Sequence, residues 1–155
     1  MPTFTPAVVA LPVADRHRAH AFYTSALELG TVGEPESDGL PEPLTLAVND
    51  GLHLVLVPTD GFGWAVGDRA VAAPHTVECL LGVTVADDAA VDRLVRRATD
   101  AGADLVTAPG EQPWGYTGTV ADPDGHLWEI SAATTAPTRQ TTQTTQTGPD
   151  EGSGS

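Results

Sequence analysis

Two short signals each occur twice in this chain, and together they constrain its fold more than any other feature. Val13-Ala14-Asp15 is echoed by Val85-Ala86-Asp87, and Asp50-Gly51 before an apolar run is echoed by Asp124-Gly125 before another, seventy-odd residues apart both times. The first signal reads as a strand ending on a helix N-cap, where an aspartate side chain accepts from the first free helical amides. The second is a tight hairpin turn. In the first half, residues 7–13 form a strand and residues 16–29 a helix. Its Ala19, Phe22, Tyr23, Ala26 and Leu29 share one stripe, and Gly30 serves as its stop. Residues 44–48 and 52–57 are strands around Asn49-Asp50-Gly51, and the polar Pro/Gly-rich stretch before them holds a short strand at most. In the second half, residues 78–85 are a strand and Asp87-Asp88 cap a helix running to Gly102. Residues 105–107, 117–121 and 127–131 supply three more strands. A duplicated βαβββ unit follows, hence an α+β fold.

The most informative single stretch is the last hairpin, Val120-Ala121-Asp122-Pro123-Asp124-Gly125-His126-Leu127-Trp128-Glu129-Ile130-Ser131. Pro123 presets φ for a turn, and Gly125 supplies the positive φ at which the chain reverses. Glu129 then stands between Trp128 and Ile130 in an apolar strand. An ionised carboxylate there calls for a metal, a cation or good hydrogen-bond donors.

Composition removes several classes of function. The formal net charge is −14, there is no lysine, and all seven basic residues are arginines. Phosphate neutralisation on nucleic acid and attraction to anionic lipid both need a basic surface, so neither is expected as a partner. Schiff-base chemistry and a P-loop lysine are ruled out as well. The single Cys79 cannot close an internal disulfide, which suits a reducing cytoplasm. The apolar run at residues 7–13 is too short for a signal peptide or a membrane span. Residues 1–133 therefore read as one domain, with modules at about 5–57 and 78–133. Residues 58–77 are an insertion with room for a short helix. The Thr/Gln/Gly/Ser-rich residues 134–155 read as a disordered tail.

Two such modules resemble the vicinal oxygen chelate superfamily of glyoxalases, extradiol dioxygenases and bleomycin-resistance proteins. So do Leu11-Pro12-Val13-Ala14-Asp15 leading to Ala21-Phe22-Tyr23, and the Asp122–Glu129 motif. The resemblance implies a curved eight-stranded mixed sheet around a cleft, commonly in a homodimer. It also implies a metal held by side chains on the opening and closing strands of each module. Transferred by position, those sites fall at Val8, Leu80, Val55 and Glu129. Three are aliphatic, and one carboxylate is not a metal site. His53, two residues before Val55, shares its strand face and would add one donor to Glu129, still short of a set. No metal and no other cofactor is expected. His17 and His20 read as a solvated helix surface, His75 as a loop residue and His126 as a strand-entry residue.

Without a metal, Glu129 is a cleft carboxylate with His53 as its side-chain partner. The pair would anchor a ligand or, since desolvation raises a carboxyl pKa, exchange protons with one. Trp64 in the insertion, and Trp114 with Tyr116 before the seventh strand, stand where the resemblance places cleft walls, which suit aromatic or cationic molecules. Trp128, Phe22 and Tyr23 read as core, and Cys79 as a small core residue facing the helices. The first expectation is a metal-free protein that binds a small organic molecule. The alternatives are a metal-dependent lyase or dioxygenase, and a metal-free enzyme using Glu129 as general base on a small carbonyl compound.

Overall fold

Each half of the chain builds a four-stranded mixed sheet with the same strand order, in a computed structural model that describes residues 5–67, 69–73 and 75–134. The first module runs β1 (Ala7–Val13), α1 (Arg16–Ala26), β2 (Gly30–Val32), β3 (Leu44–Asn49) and β4 (Leu52–Pro58). After α2 (Thr59–Val66), the second runs β5 (Leu80–Val85), α3 (Asp88–Asp100), β6 (Asp104–Gln112), β7 (Gly115–Ala121) and β8 (Leu127–Ala132). The sheets order β1-β4-β3-β2 and β5-β8-β7-β6, with a parallel pair at one edge and antiparallel pairs elsewhere. The eight strands are thus two four-stranded sheets that share no hydrogen-bonded ladder among the described residues. The expected tail lies outside the described residues, apart from Thr134. No helix among those residues is long and apolar enough to cross a membrane.

Local sequence explains most element ends. Asp15 accepts from the Arg18 amide at 3.0 Å and Asp87 from the Ala90 amide at 2.7 Å, so both aspartates are the N-caps that their repeat suggested. Residues 59–66 do form a helix in the insertion. The first helix ends at Ala26, three residues short of the expected Leu29, and Gly30 opens β2. The reason is tertiary. Arg97 on α3 donates from Nε to the Ala26 carbonyl at 2.6 Å and from Nη1 to Glu28 at 2.7 Å, while Glu28 itself takes the left-handed φ of 55°. The second helix also ends early, at Asp100, and Gly102 (φ 106°) turns the chain into β6.

Alternation along the strands puts Leu11, Val13, Leu54, Leu56, Val120, Trp128 and Ile130 against the helices, all 4% exposed or less. The α1 stripe of Ala19, Phe22, Tyr23 and Ala26 and the α3 stripe of Val91, Val95 and Ala98 close the same core. That core is continuous across the modules, with Tyr23 of the first packed edge-on against Trp128 of the second, ring centroids 5.9 Å apart.

Candidate functional site

The Asp122-Pro123-Asp124-Gly125 turn is the joint between the modules, and both of its aspartates are committed to holding it. Asp122 is 2% exposed, its Oδ1 accepting from the amides of Asp124 (2.9 Å) and His126 (2.8 Å). Its Oδ2 accepts from the Tyr23 hydroxyl, which in turn receives the Trp128 indole N–H at 3.3 Å. Burial, and then the Asp122 charge, push the Tyr23 phenol well above its ordinary range. Asp124 Oδ1 accepts from the Ala14 amide at 2.9 Å and from Arg18 at 3.1 Å, fastening the turn to the start of α1. The His126 ring, expected only to start a strand, meets the Pro12 carbonyl at 2.7 Å and so ties β8 to β1. A sequence reading reaches the turn from Pro123 and Gly125, but these long-range partners carry no local signal.

The sheet faces away from the helices form the concave side. Register puts Val8 opposite His53 and Ala10 opposite Val55 in the first sheet, and Leu80 opposite Leu127 and Gly82 opposite Glu129 in the second. The duplication therefore makes Val55 the counterpart of Glu129 and Leu127 the counterpart of His53. Glu129 and His53 are both half-buried, but they stand one pleat apart in pseudo-symmetric terms, in different sheets, and no ion pair joins them. Opposite Glu129 on β7 is Thr119. The four corner positions offer one carboxylate and three hydrocarbon side chains, a donor set that does not fit a first-row metal ion. Among the described residues, no group of three or more His, Cys, Asp or Glu could hold a metal.

A cavity of about 710 Å³ lies at one end of this concave side, under the insertion. Ala10 and Pro12 of β1 and Leu127 of β8 form its floor. Thr59, Phe62 and Val66, a stripe at helical spacing on α2, form its roof. Arg69, His75, Glu78, Cys79 and Asp124 bring polar groups to its rim. Leu127 is two residues before Glu129 on the same strand face, so the cavity adjoins the Glu129 row. A shallower groove of about 520 Å³ lies on the helix side, between α1, the end of α3 and Pro123.

The other expected wall residues are elsewhere. Trp64 stands on the α2 face opposite the cavity stripe and is 94% exposed, and Trp114 in the β6–β7 turn is 65% exposed. Tyr116 shares the helix-facing side of β7 with Gly118 and Val120. Its hydroxyl donates to Asp92 of α3 at 2.8 Å, a bond that raises the phenol pKa. Period-two alternation excludes it from the concave side. Cys79 is exposed at the cavity rim rather than in the core, because β5 begins at Leu80 and the pleat that would turn the thiol inward has not started. His17 is exposed, whereas His20 shares a 2.8 Å hydrogen bond with Thr31 of β2.

These features have counterparts in known proteins. The chain is 37% identical over 128 residues to an uncharacterized protein of Mycobacterium bovis, covering 77% of this chain and 78% of that one. A glyoxalase-related enzyme from Fulvimarina pelagi superposes with a TM-score of 0.70 at 27% identity, over 82% of this chain and 86% of its own. TnmS3, an antibiotic binding protein from Streptomyces sp. CB03234, superposes with a TM-score of 0.60 at 22% identity, over 86% of this chain and 99% of its own. The family model described as Glyoxalase/Bleomycin resistance protein/Dioxygenase superfamily matches residues 5–130. With duplicated βαβββ modules, matched strand orders and this family match over most of its length, the chain belongs to the Glyoxalase/Bleomycin resistance protein/Dioxygenase superfamily.

Proposed function

We propose that this protein binds a small organic molecule in the cavity between α2 and the concave ends of β1 and β8, without a metal. The observation that carries the reading is the cavity itself. It has an apolar floor and roof, a few convergent polar groups at its rim, and a volume of about 710 Å³, the range that drug-sized ligands occupy. Glu129 and His53 continue its floor along the concave side and give a longer ligand two polar contacts. The net charge of −14 favours cationic molecules by long-range attraction. The antibiotic-binding neighbour supports a binding role for a fold of this shape.

The test is a thermal-shift screen of cationic, aromatic and neutral organic compounds against the full-length protein, since binding to the native state raises apparent stability. Hits should disappear in Ala10→Trp, which fills the floor. Hits that persist in that variant would sink the assignment. A catalytic role would use the half-buried Glu129 as a base, and turnover of a hit, lost in Glu129→Gln, would establish it in place of simple binding. As assembly we propose a homodimer covering Val8 and Leu80, which are 58% and 52% exposed on the two edge strands β1 and β5. A monomeric sedimentation coefficient across micromolar concentrations would refute it.

A further inference from the structure

Asp124 is more than nine-tenths buried, its side chain 8% exposed, and it lines the cavity under α2. One carboxylate oxygen, Oδ1, is fully employed by the Ala14 amide and Arg18. The other, Oδ2, is buried with no hydrogen-bond partner among the described residues. Such an oxygen carries a desolvation cost that only a donor relieves. The turn's own amides cannot supply one. Those of Asp124 and His126 are spent on Asp122 Oδ1, that of Gly125 on the Asp122 carbonyl, and Pro123 has none. The Nε2 of His126 is engaged with the Pro12 carbonyl. The remaining approach is from the cavity.

We propose that Asp124 is the polar anchor of the ligand, its Oδ2 accepting from a protonated amine on an organic molecule lodged under α2. This rests on the cavity being the binding site. A cation is favoured over a hydroxyl because its bond to a carboxylate is charge-assisted. Around the cavity, Glu78 adds a second acid against the one guanidinium of Arg69. The apolar body of the molecule would lie along Ala10, Leu127 and Phe62, within reach of the anchor at the start of β8.

The test uses the full-length protein and matched probes that differ only in the donor, beginning with tryptamine and indole-3-ethanol, measured by calorimetry or ligand-observed NMR. The amine should bind about tenfold more tightly than the alcohol, and Asp124→Asn should remove that preference while the alcohol's affinity stays the same. Equal binding of the two probes to the native protein, or a preference that survives in Asp124→Asn, would overturn the anchor while leaving the cavity assignment intact. Binding of neither probe would overturn the cavity assignment and the anchor together. Because Asp124 also fastens α1, the variant has a companion measurement in the native protein. The carboxyl ¹³C resonance of Asp124 should move on titration with the amine and not with the alcohol, and an unmoved resonance would refute the anchor even if Asp124→Asn does not fold.

Discussion

The Tyr23 hydroxyl donates to Asp122 Oδ2 across a sequence separation of 99 residues, joining the first helix of one module to the closing turn of the other. Both groups are inside the core, at 0% and 2% exposure, so the bond is made in place of water and not beside it. Removing the hydroxyl leaves a buried carboxylate oxygen short of a donor. Tyr23→Phe should therefore cost about 1–3 kcal/mol of unfolding free energy, read from the shift of a denaturant midpoint at pH 7.

The same pair sets an alkaline limit. The Tyr23 pKa is raised in the folded state above its ordinary 10.0, so this contribution is fully present below pH 10 and is lost as pH rises toward the folded value. The native protein should lose stability above about pH 10 more steeply than Tyr23→Phe. Parallel slopes in the two proteins between pH 9 and pH 11 would show that the phenol is not the group responsible.

Gly118 is where α3 presses on β7. A Cβ there would sit 2.9 Å from Val95 Cγ2 and 3.2 Å from the Pro109 ring. Neither neighbour is the free end of a long side chain, so both the helix and the β6 bulge would have to move. Gly118→Ala should destabilise by about 1–3 kcal/mol, measured by thermal or urea unfolding.

His126→Ala removes the imidazole bond to the Pro12 carbonyl, a link between modules over 114 residues of chain. A loss of about 1 kcal/mol is expected, with increased amide hydrogen exchange at the end of β1. Unchanged exchange along residues 10–13 would mean the bond does not hold the strands together.

The metal positions also make a prediction. With Val8, Val55 and Leu80 at three of the four corners, protein purified without chelator should carry far less than one equivalent of any first-row metal, and EDTA should leave its melting temperature unchanged. Near-stoichiometric metal that vanishes in Glu129→Ala would reverse this reading.

The elements legible in the sequence are those with a strong local cause. Asp15 and Asp87 fix helix starts because a cap needs only a side chain and the next few amides. The 19-22-23-26 stripe is legible because helical spacing alone brings those side chains to one face. Trp128 and Ile130 follow from strand alternation in the same way. The end of α1 was not legible, because the group that stops it is Arg97, on another helix. Tyr116 was misplaced by counting it as a cleft wall when its strand face, set by the register of β7, points it at Asp92. Cys79 was misplaced by assuming that the strand began at Glu78.

At the candidate site the division is similar. The sequence by itself determined the duplicated module, the aliphatic residues at three metal positions and the polar identity of Glu129, because these are matters of residue type and period. Only the tertiary structure decided that His53 pairs with Val8 and does not reach Glu129, that α2 roofs a cavity over Ala10 and Leu127, and that Asp124 is sealed into its wall with one oxygen unpaired. These depend on where two separately folded sheets come to rest against each other, and contacts across such distances leave no spacing in the chain from which to read them.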